Sequence, residues 1–304
     1  MIRVTRLLTR SDLLAVLDPA ACLKALADGF RAAPAAGSRH RADLPFPGTA
    51  MVLMPGLLPG IEAYTVKVNA KFPGAVPALR GVICLYSGVD GELLALLDSA
   101  TLTAWRTGLS AALATHRLSR EGGTVGVIGA GAQAELVITG LARLRTWPGL
   151  VVQDADPARA VSFAARHGGR TAATPGEVAE AADLVILATW SRQPLLGLEN
   201  ARPGLHFTSL GADEPGKAEL ADDLLRAAEV IVDDAGLSRA SGVLRALPDL
   251  PVREFREVMD GPAPAGPLSV YAPVGLPWQD LCLAWLARTE ALRTGAGTEL
   301  DLLA

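Results

Sequence analysis

The sequence predicts an α/β protein: a Rossmann-type, doubly wound parallel sheet joined to a discontinuous α+β unit. Three observations carry this. From Thr124 to about Met259, short apolar runs alternate with helical stretches, the rhythm of parallel strands joined by crossover helices. From Asp43 to Leu97, apolar strands are broken by Pro55, Pro59, Pro73, Pro77 and an Asp90-Gly91 turn, as in antiparallel sheet. After the GPAPAG segment (261–266), a lone helix has no strands beside it to pack on.

Taken in order, Ser11 reads as the N-cap of a first helix, and Pro19–Ala32 as a second. The segments MVLMP, EAYTVKVNAKF, GVICLYS and GELLALL read as strands, and Ser99–Leu118 as a helix of small residues. TVGVI then opens the alternating region, followed by a helix at Ala132–Leu144. LVVQ, DLVILAT, LHFTSLG and EVIVDD are further strands, EVIVDD being the last. Pro157–His167, Pro175–Ala182 and Lys217–Ala227 are the helices between them, and more helices run to about Met259. GPAPAG reads as a linker, and Trp278–Thr294 as a helix that returns to the first domain. The expected domains are 1–118 with 267–304, and 119–266.

Length and charge narrow the function. The 304 residues suffice for two domains, and half are apolar. The net charge is -4 with no basic block, so there is no electrostatic footprint for nucleic acid. Cys22, Cys84 and Cys282 are far apart, which argues against a disulfide framework or a zinc site and fits a reducing cytoplasm. The N-terminus, interrupted by Arg6, Arg10 and Asp12, lacks the apolar core of a signal peptide, and no apolar run reaches membrane-helix length. His40, His116, His167 and His206 show no ligand spacing, so no metal is expected. Only Lys24, Lys67, Lys71 and Lys217 are lysines, in a chain otherwise biased to arginine.

The most specific motif is TVGVIGAGAQAE. A strand ends at Ile128, and Gly129-Ala-Gly131-Ala132-Gln133-Ala134 opens a helix in GxGxxA form. Gly129 permits the tight turn, Gly131 lets the backbone approach a pyrophosphate, and Ala134 lets helix and strand pack closely. The helix N-terminus offers free N–H groups and partial positive charge to a diphosphate. Asp154, at the end of the second strand, would accept hydrogen bonds from the adenosine ribose. An acid there disfavours a 2′-phosphate, so NAD is expected over NADP.

Three basic residues stand in unexpected surroundings. In YTVKVNAKF, alternation puts Thr65, Lys67 and Asn69 on one strand face. Arg106 is the only charge between Thr101 and Thr115. A guanidinium among small and apolar residues suggests an anionic partner or ligand. Arg41 precedes the strand containing Met51–Met54. Asp213 lies just past the carboxyl end of a parallel strand, the edge where ligands of doubly wound sheets bind. Pattern alone leaves other roles open: a solvated strand face for Lys67 and Lys71, an ion pair for Arg106, a turn before Pro-Gly for Asp213.

Several segments, in order, resemble the ornithine cyclodeaminase/mu-crystallin family: VLMPG, KVNAKFPG, LTAWRTGLSAALA, VGVIGAGAQAE, LGADEPGKAEL and GLPWQD. The resemblance implies a homodimer assembled through the discontinuous, substrate-binding domain. It implies that Lys67, Arg106 and Arg41 clamp a substrate carboxylate, that Asp213, with Lys67, serves the chemistry, and that Thr107 joins the glycine loop at the cofactor. The expected reaction is hydride transfer at Cα of a small amino or imino acid. Alternatives are conversion of ornithine to proline and ammonia, or binding without catalysis. The chain departs from the family pattern at Val52, where many members carry Glu, and at Ala75, Ala78 and the Pro273-Val274 pair. These changes strip polar groups from the pocket and count against ornithine.

Overall fold

The computed structural model describes residues 4–32, 37–45, 47–48, 50–72, 74–261 and 266–302. The chain divides into two compact units, Met1–Arg106 with Leu276–Ala304, and Thr107–Gly275.

The first unit begins with β1 (Thr5–Leu8), α1 (Arg10–Val16) and α2 (Pro19–Ala32). Thr9, not Ser11, caps α1: the Asp12 N–H donates to Thr9 Oγ1 at 3.4 Å, and the Thr9 N–H donates back to the Asp12 carboxylate at 2.9 Å. That reciprocal pair satisfies two N–H groups that a Ser11 cap would leave open. Then come β2 (His40–Asp43), β3 (Ala50–Gly56), β4 (Ala63–Lys71), β5 (Leu79–Ser87) and β6 (Leu93–Asp98), with β2 through β6 paired antiparallel in sequence. In β4 the usual polarity is reversed. Thr65, Lys67 and Asn69 are buried, while Tyr64, Val66 and Val68 are only half-buried.

Helix α3 (Ser99–Leu118) contains the division between units. Its small residues have a use inside the second unit. Gly108 leaves room for Leu136, and a Cβ on Gly140 would come within 2.6 Å of the Ala112 Cβ, so α3 and the helix of residues 132–144 touch nearly backbone to backbone.

The second unit is a single parallel sheet. Its elements are β7 (Val125–Ile128), α4 (Ala132–Leu144), β8 (Leu150–Gln153), α5 (Pro157–His167), β9 (Arg170–Thr171), α6 (Pro175–Ala181) and β10 (Leu184–Leu187). They continue with β11 (His206–Ser209), α7 (Asp222–Ala227), β12 (Glu229–Val232), α8 (Ala235–Ser241), α9 (Val243–Ala246), β13 (Val252–Glu254), α10 (Phe255–Met259) and β14 (Ser269–Tyr271). The strand order is β13-β12-β14-β11-β10-β7-β8-β9. The chain winds outward from β7 to β9, then returns to lay β10 on the other side of β7, and this reversal is the switch point at which doubly wound sheets bind ligands.

Three expectations need correcting here. EVIVDD is not the last strand, because β13 and β14 follow; each has only three residues, too few to show a period. The helix expected from Lys217 begins at Asp222, because the preceding residues run extended, where Leu220 forms an isolated parallel bridge with Leu196. The unit boundaries fall at 106/107 and 275/276, not at 118/119 and 266/267. The C-terminal half of α3 packs on α4, and β14 pairs with both β11 and β12. Of the expected linker, residues 262–265 lie outside the described residues.

Helix α11 (Pro277–Thr294) and β15 (Thr298–Leu300) return to the first unit. The sheet there has the order β15-β1-β6-β5-β4-β3-β2. Trp278 is fully buried and meets Phe30 of α2 edge-on at 4.9 Å, a contact that adds about 0.5–1.5 kcal/mol beyond area burial. Among the described residues no helix is long and apolar enough to cross a membrane.

Candidate active site

Two constellations form, one in each unit. In the first unit, alternation along β4 turns Lys67 into the core, flanked across the sheet by Met54 and Ile83. Its side chain is completely buried and donates to Asp280 Oδ2 at 2.5 Å. Arg106, also buried, brings Nε to 3.5 Å from Asp280 Oδ1, and its Nη1 donates to Gln279 Oε1 at 3.4 Å. Burial pushes the Lys67 ammonium down to about 7; Asp280 opposes the fall, and the positive charges of Arg106 and Arg39 deepen it. Arg41 is not part of this cluster. It is partly exposed and pairs with Asp43 at 3.0 Å on a strand whose four residues all face solvent. Half-buried Arg39, two residues earlier, is the guanidinium that Lys67 feels.

In the second unit, the glycine loop joins β7 to α4 at the switch point. Gly129 has φ +90, and a Cβ there would fall 2.6 Å from the Ala188 carbonyl oxygen, so only glycine fits. Gly131 is different: a Cβ there would meet nothing of the protein within 4 Å. It is the N-cap of α4, and no side chain caps that helix. The first-turn N–H groups at Ala132, Gln133 and Ala134 are therefore left without a side-chain cap, the arrangement a diphosphate would satisfy. Asp154 is nearly buried, accepting the Ala130 N–H on Oδ2 at 2.7 Å and the Asp156 N–H on Oδ1 at 2.8 Å. Each oxygen keeps a second lone pair for a ribose hydroxyl. Thr107, half-buried, is the first residue of this unit.

Asp213 lies past the end of β11, partly exposed, and pairs with Lys217 Nζ at 3.0 Å. That ammonium stacks over the Trp190 ring, 4.4 Å from its centroid. Glu219, which sequence reasoning passed over, shapes the loop. Fully buried, it accepts from the Thr189 N–H and hydroxyl, the Ser209 hydroxyl and the Gly211 N–H, each at 2.7 Å. Burial raises its proton affinity, and these four donors pull it back. Asp233 does the same for the loop after β14, accepting from the Val274 N–H at 3.0 Å and the Gly275 N–H at 2.6 Å. Pro273 and Val274 thus sit in a loop whose backbone Asp233 holds through the N–H groups of residues 274 and 275. Among the described residues no group of His, Cys, Asp and Glu is placed to hold a metal ion.

This architecture defines a Rossmann-type α/β protein carrying a separate α+β unit with a buried cationic cluster. The chain belongs to the ornithine cyclodeaminase/mu-crystallin family, whose model matches residues 3–295. It is 38% identical over 186 residues to an L-lysine cyclodeaminase of Streptomyces rapamycinicus, a match covering 57% of this chain and 53% of that one, so the shared region spans about half the relative's length. It is 30% identical to the ketimine reductase mu-crystallin of Mus musculus, over 77% of this chain and 78% of that one. Among solved structures, the Δ1-pyrroline-2-carboxylate reductase of Thermococcus litoralis, in complex with NADH and L-proline, superposes with a TM-score of 0.89 at 25% identity, covering 97% of this chain and all of that one.

Proposed function

We propose that this protein is an NAD-dependent oxidoreductase moving a hydride at Cα of a small amino or imino acid, in the manner of an imino-acid reductase or amino-acid dehydrogenase. The observation that carries the reading is the buried Lys67–Arg106 pair, which among the described residues shares the one carboxylate of Asp280. Buried cations need anionic partners, and Lys67 and Arg106 share the one carboxylate of Asp280, which leaves a positive charge that a substrate carboxylate satisfies. NADH, when bound, supplies the hydride. Lys67 and Arg106 hold the carboxylate and so fix where Cα sits. Asp213 donates or accepts the proton at the substrate nitrogen. Gly129, Gly131, Ala132, Gln133, Ala134, Asp154 and Thr107 form the cofactor side. Retention of Lys67, Arg106 and Asp213 supports catalysis over binding alone.

The side-chain environment favours a reductase over an ornithine cyclodeaminase. Val52 pairs with Asn69 on the same face as Lys67 and offers no acid to a second amine. Near Asp154, Arg159 lies 3.6 Å from that carboxylate and 3.8 Å from Asp156. Two carboxylates outweigh the one guanidinium, so a 2′-phosphate is disfavoured. A substrate screen following NADH absorbance tests both points. Turnover of Δ1-pyrroline-2-carboxylate and other cyclic ketimines, or of pyruvate plus ammonia, is expected, with NADH used better than NADPH. Proline and ammonia formed from ornithine at a comparable rate would reverse the assignment, and preference for NADPH would remove Asp154 from the ribose.

The protein is expected to be a homodimer of cytoplasmic type. The half-buried sheet face bearing Leu53, Tyr64, Val66, Val68, Val82 and Cys84 offers a continuous apolar surface to a second copy. The small residues of α3, by contrast, are already used against α4. Light scattering at micromolar concentration should give twice the 31.5 kDa chain mass; a monomer would refute it.

A further inference from the structure

Asp280 stands out among the buried acids because its surroundings are only half satisfied. Its side chain is 1% exposed at the start of α11, where Pro277 and Trp278 anchor the helix in the core. Oδ2 accepts a hydrogen bond from the Lys67 ammonium at 2.5 Å, but Oδ1 has no hydrogen-bond partner. Arg106 Nε is 3.5 Å away and also has none. Buried polar atoms are almost always paired, and a pair kept only for stability would close this gap. As a stabiliser, moreover, a buried ion pair contributes little that apolar packing could not supply.

We propose that Asp280 is a positioning residue of the carboxylate site, gripping the Lys67 ammonium with one oxygen while leaving the Arg106 Nε unspent, so that the two cations present a preformed fork to an incoming carboxylate. This rests on the reading of Lys67 and Arg106 as carboxylate anchors. The charge balance supports it. Lys67 and Arg106 bring two positive charges to the one negative charge of Asp280, Arg39 adds a weaker repulsion on Lys67, and the strand neighbours Met54 and Ile83 contribute no charge. Without Asp280, Lys67 would face only two guanidinium groups and burial, all of which drive its proton off. A neutral amine cannot hold a carboxylate by charge. Asp280 thereby sets the pH range over which the site binds its substrate: the cation is present below the lysine's titration midpoint and lost above it. Gln279, on the same turn, steadies Arg106 from the other side and carries no charge.

The chain has only four lysines, so the test can watch Lys67 directly. Protein made with lysine labelled at the ε-carbon gives four signals, and the Lys67→Met variant assigns the one that matters. In the wild type this signal should titrate near neutrality. In Asp280→Asn, which keeps the side-chain volume, the midpoint should fall by roughly one pH unit or more. The alkaline limb of kcat/KM for Δ1-pyrroline-2-carboxylate with NADH should fall with it. Asp280→Glu keeps the charge but moves it by one methylene; it should leave the midpoint near that of wild type and raise KM, and it serves if the asparagine variant does not fold. An unmoved Lys67 midpoint in Asp280→Asn, or one lowered equally in Asp280→Glu, overturns the proposal. A midpoint that moves while the kcat/KM limb does not follow overturns the carboxylate reading instead, because Lys67 would then be held by Asp280 without meeting the substrate.

Discussion

Lys67→Met should lower kcat/KM by on the order of 100-fold, chiefly through KM. On the proposed reading the lysine contributes one charge-assisted hydrogen bond to the substrate carboxylate, and such bonds are worth about 1.5–3 kcal/mol. At about 1.4 kcal/mol per tenfold, that gives 10-fold to somewhat over 100-fold from binding alone. If the remaining anchor, Arg106, lets Cα drift, kcat falls as well. Methionine matches the stem of a fully buried lysine, so packing should survive. Electrostatics would not survive unaided: Asp280 would be left buried with only the 3.5 Å approach of Arg106, and removing one partner of a buried pair can cost about 3–5 kcal/mol. The double variant Lys67→Met with Asp280→Asn removes that penalty and isolates the kinetic effect. The wild type carries its own check. With the ammonium lowered to about 7, kcat/KM should decline as pH rises through that value, because deprotonation removes the cation, and the limb should vanish in Lys67→Met. A substrate KM unchanged in both variants would show that Lys67 never meets the carboxylate.

Much of this arrangement is legible in the sequence wherever a periodic pattern or a charge count is decisive. The alternation of YTVKVNAKF places Thr65, Lys67 and Asn69 together, and the structure buries that face. It does not say that the polar face is the inner one, since that depends on Asp280 arriving from a helix more than two hundred residues away. The reasoning that singled out Arg106, one charge in an apolar stretch, applies equally to Asp280, the only charged residue between Asp260 and Arg288. Read as part of a family segment, it was passed over as a site residue. Glu219 was hidden for another reason: it sits in a loop rich in charge, where the sequence cannot distinguish a solvated carboxylate from one taking four hydrogen bonds. Arg41 and Arg39 share strand parity, so alternation could not choose between them, and only the exposure of β2 and the Asp43 pair do so.

The departures from the family pattern are similarly selective. Asp233 holds the loop after β14 through main-chain N–H groups, so that loop keeps its course whatever side chains occupy 273 and 274. Val52 changes the chemistry available on the Lys67 face without touching the ladder that positions it. The ladder and loop backbone are held in place while these side chains differ.

Asp213→Asn should lower kcat by roughly 100-fold to 10,000-fold, the usual range for losing a general acid or base. Asparagine keeps the shape and can still bond to Lys217, but it cannot exchange a proton with the substrate nitrogen. Cofactor affinity should change little, because the proposed diphosphate site is the N-terminus of α4, on the loop of residues 129–134. The competing account makes Asp213 a turn residue that merely tethers Lys217 beside Trp190. Lys217→Met separates the two. It breaks the same ion pair and leaves the carboxylate in place. If Asp213 is only a tether, both variants should lose the same small amount of stability, at most about 1 kcal/mol for a partly exposed pair, and both should turn over near the wild-type rate. If Asp213 handles the proton, the asparagine variant should be slower than the methionine variant by at least one order of magnitude at similar melting temperatures. Measuring kcat, KM and melting temperature for the pair decides it. A near-normal kcat for Asp213→Asn on a substrate the wild type turns over would move the proposed proton chemistry to Lys67, whose ammonium is lowered to about 7.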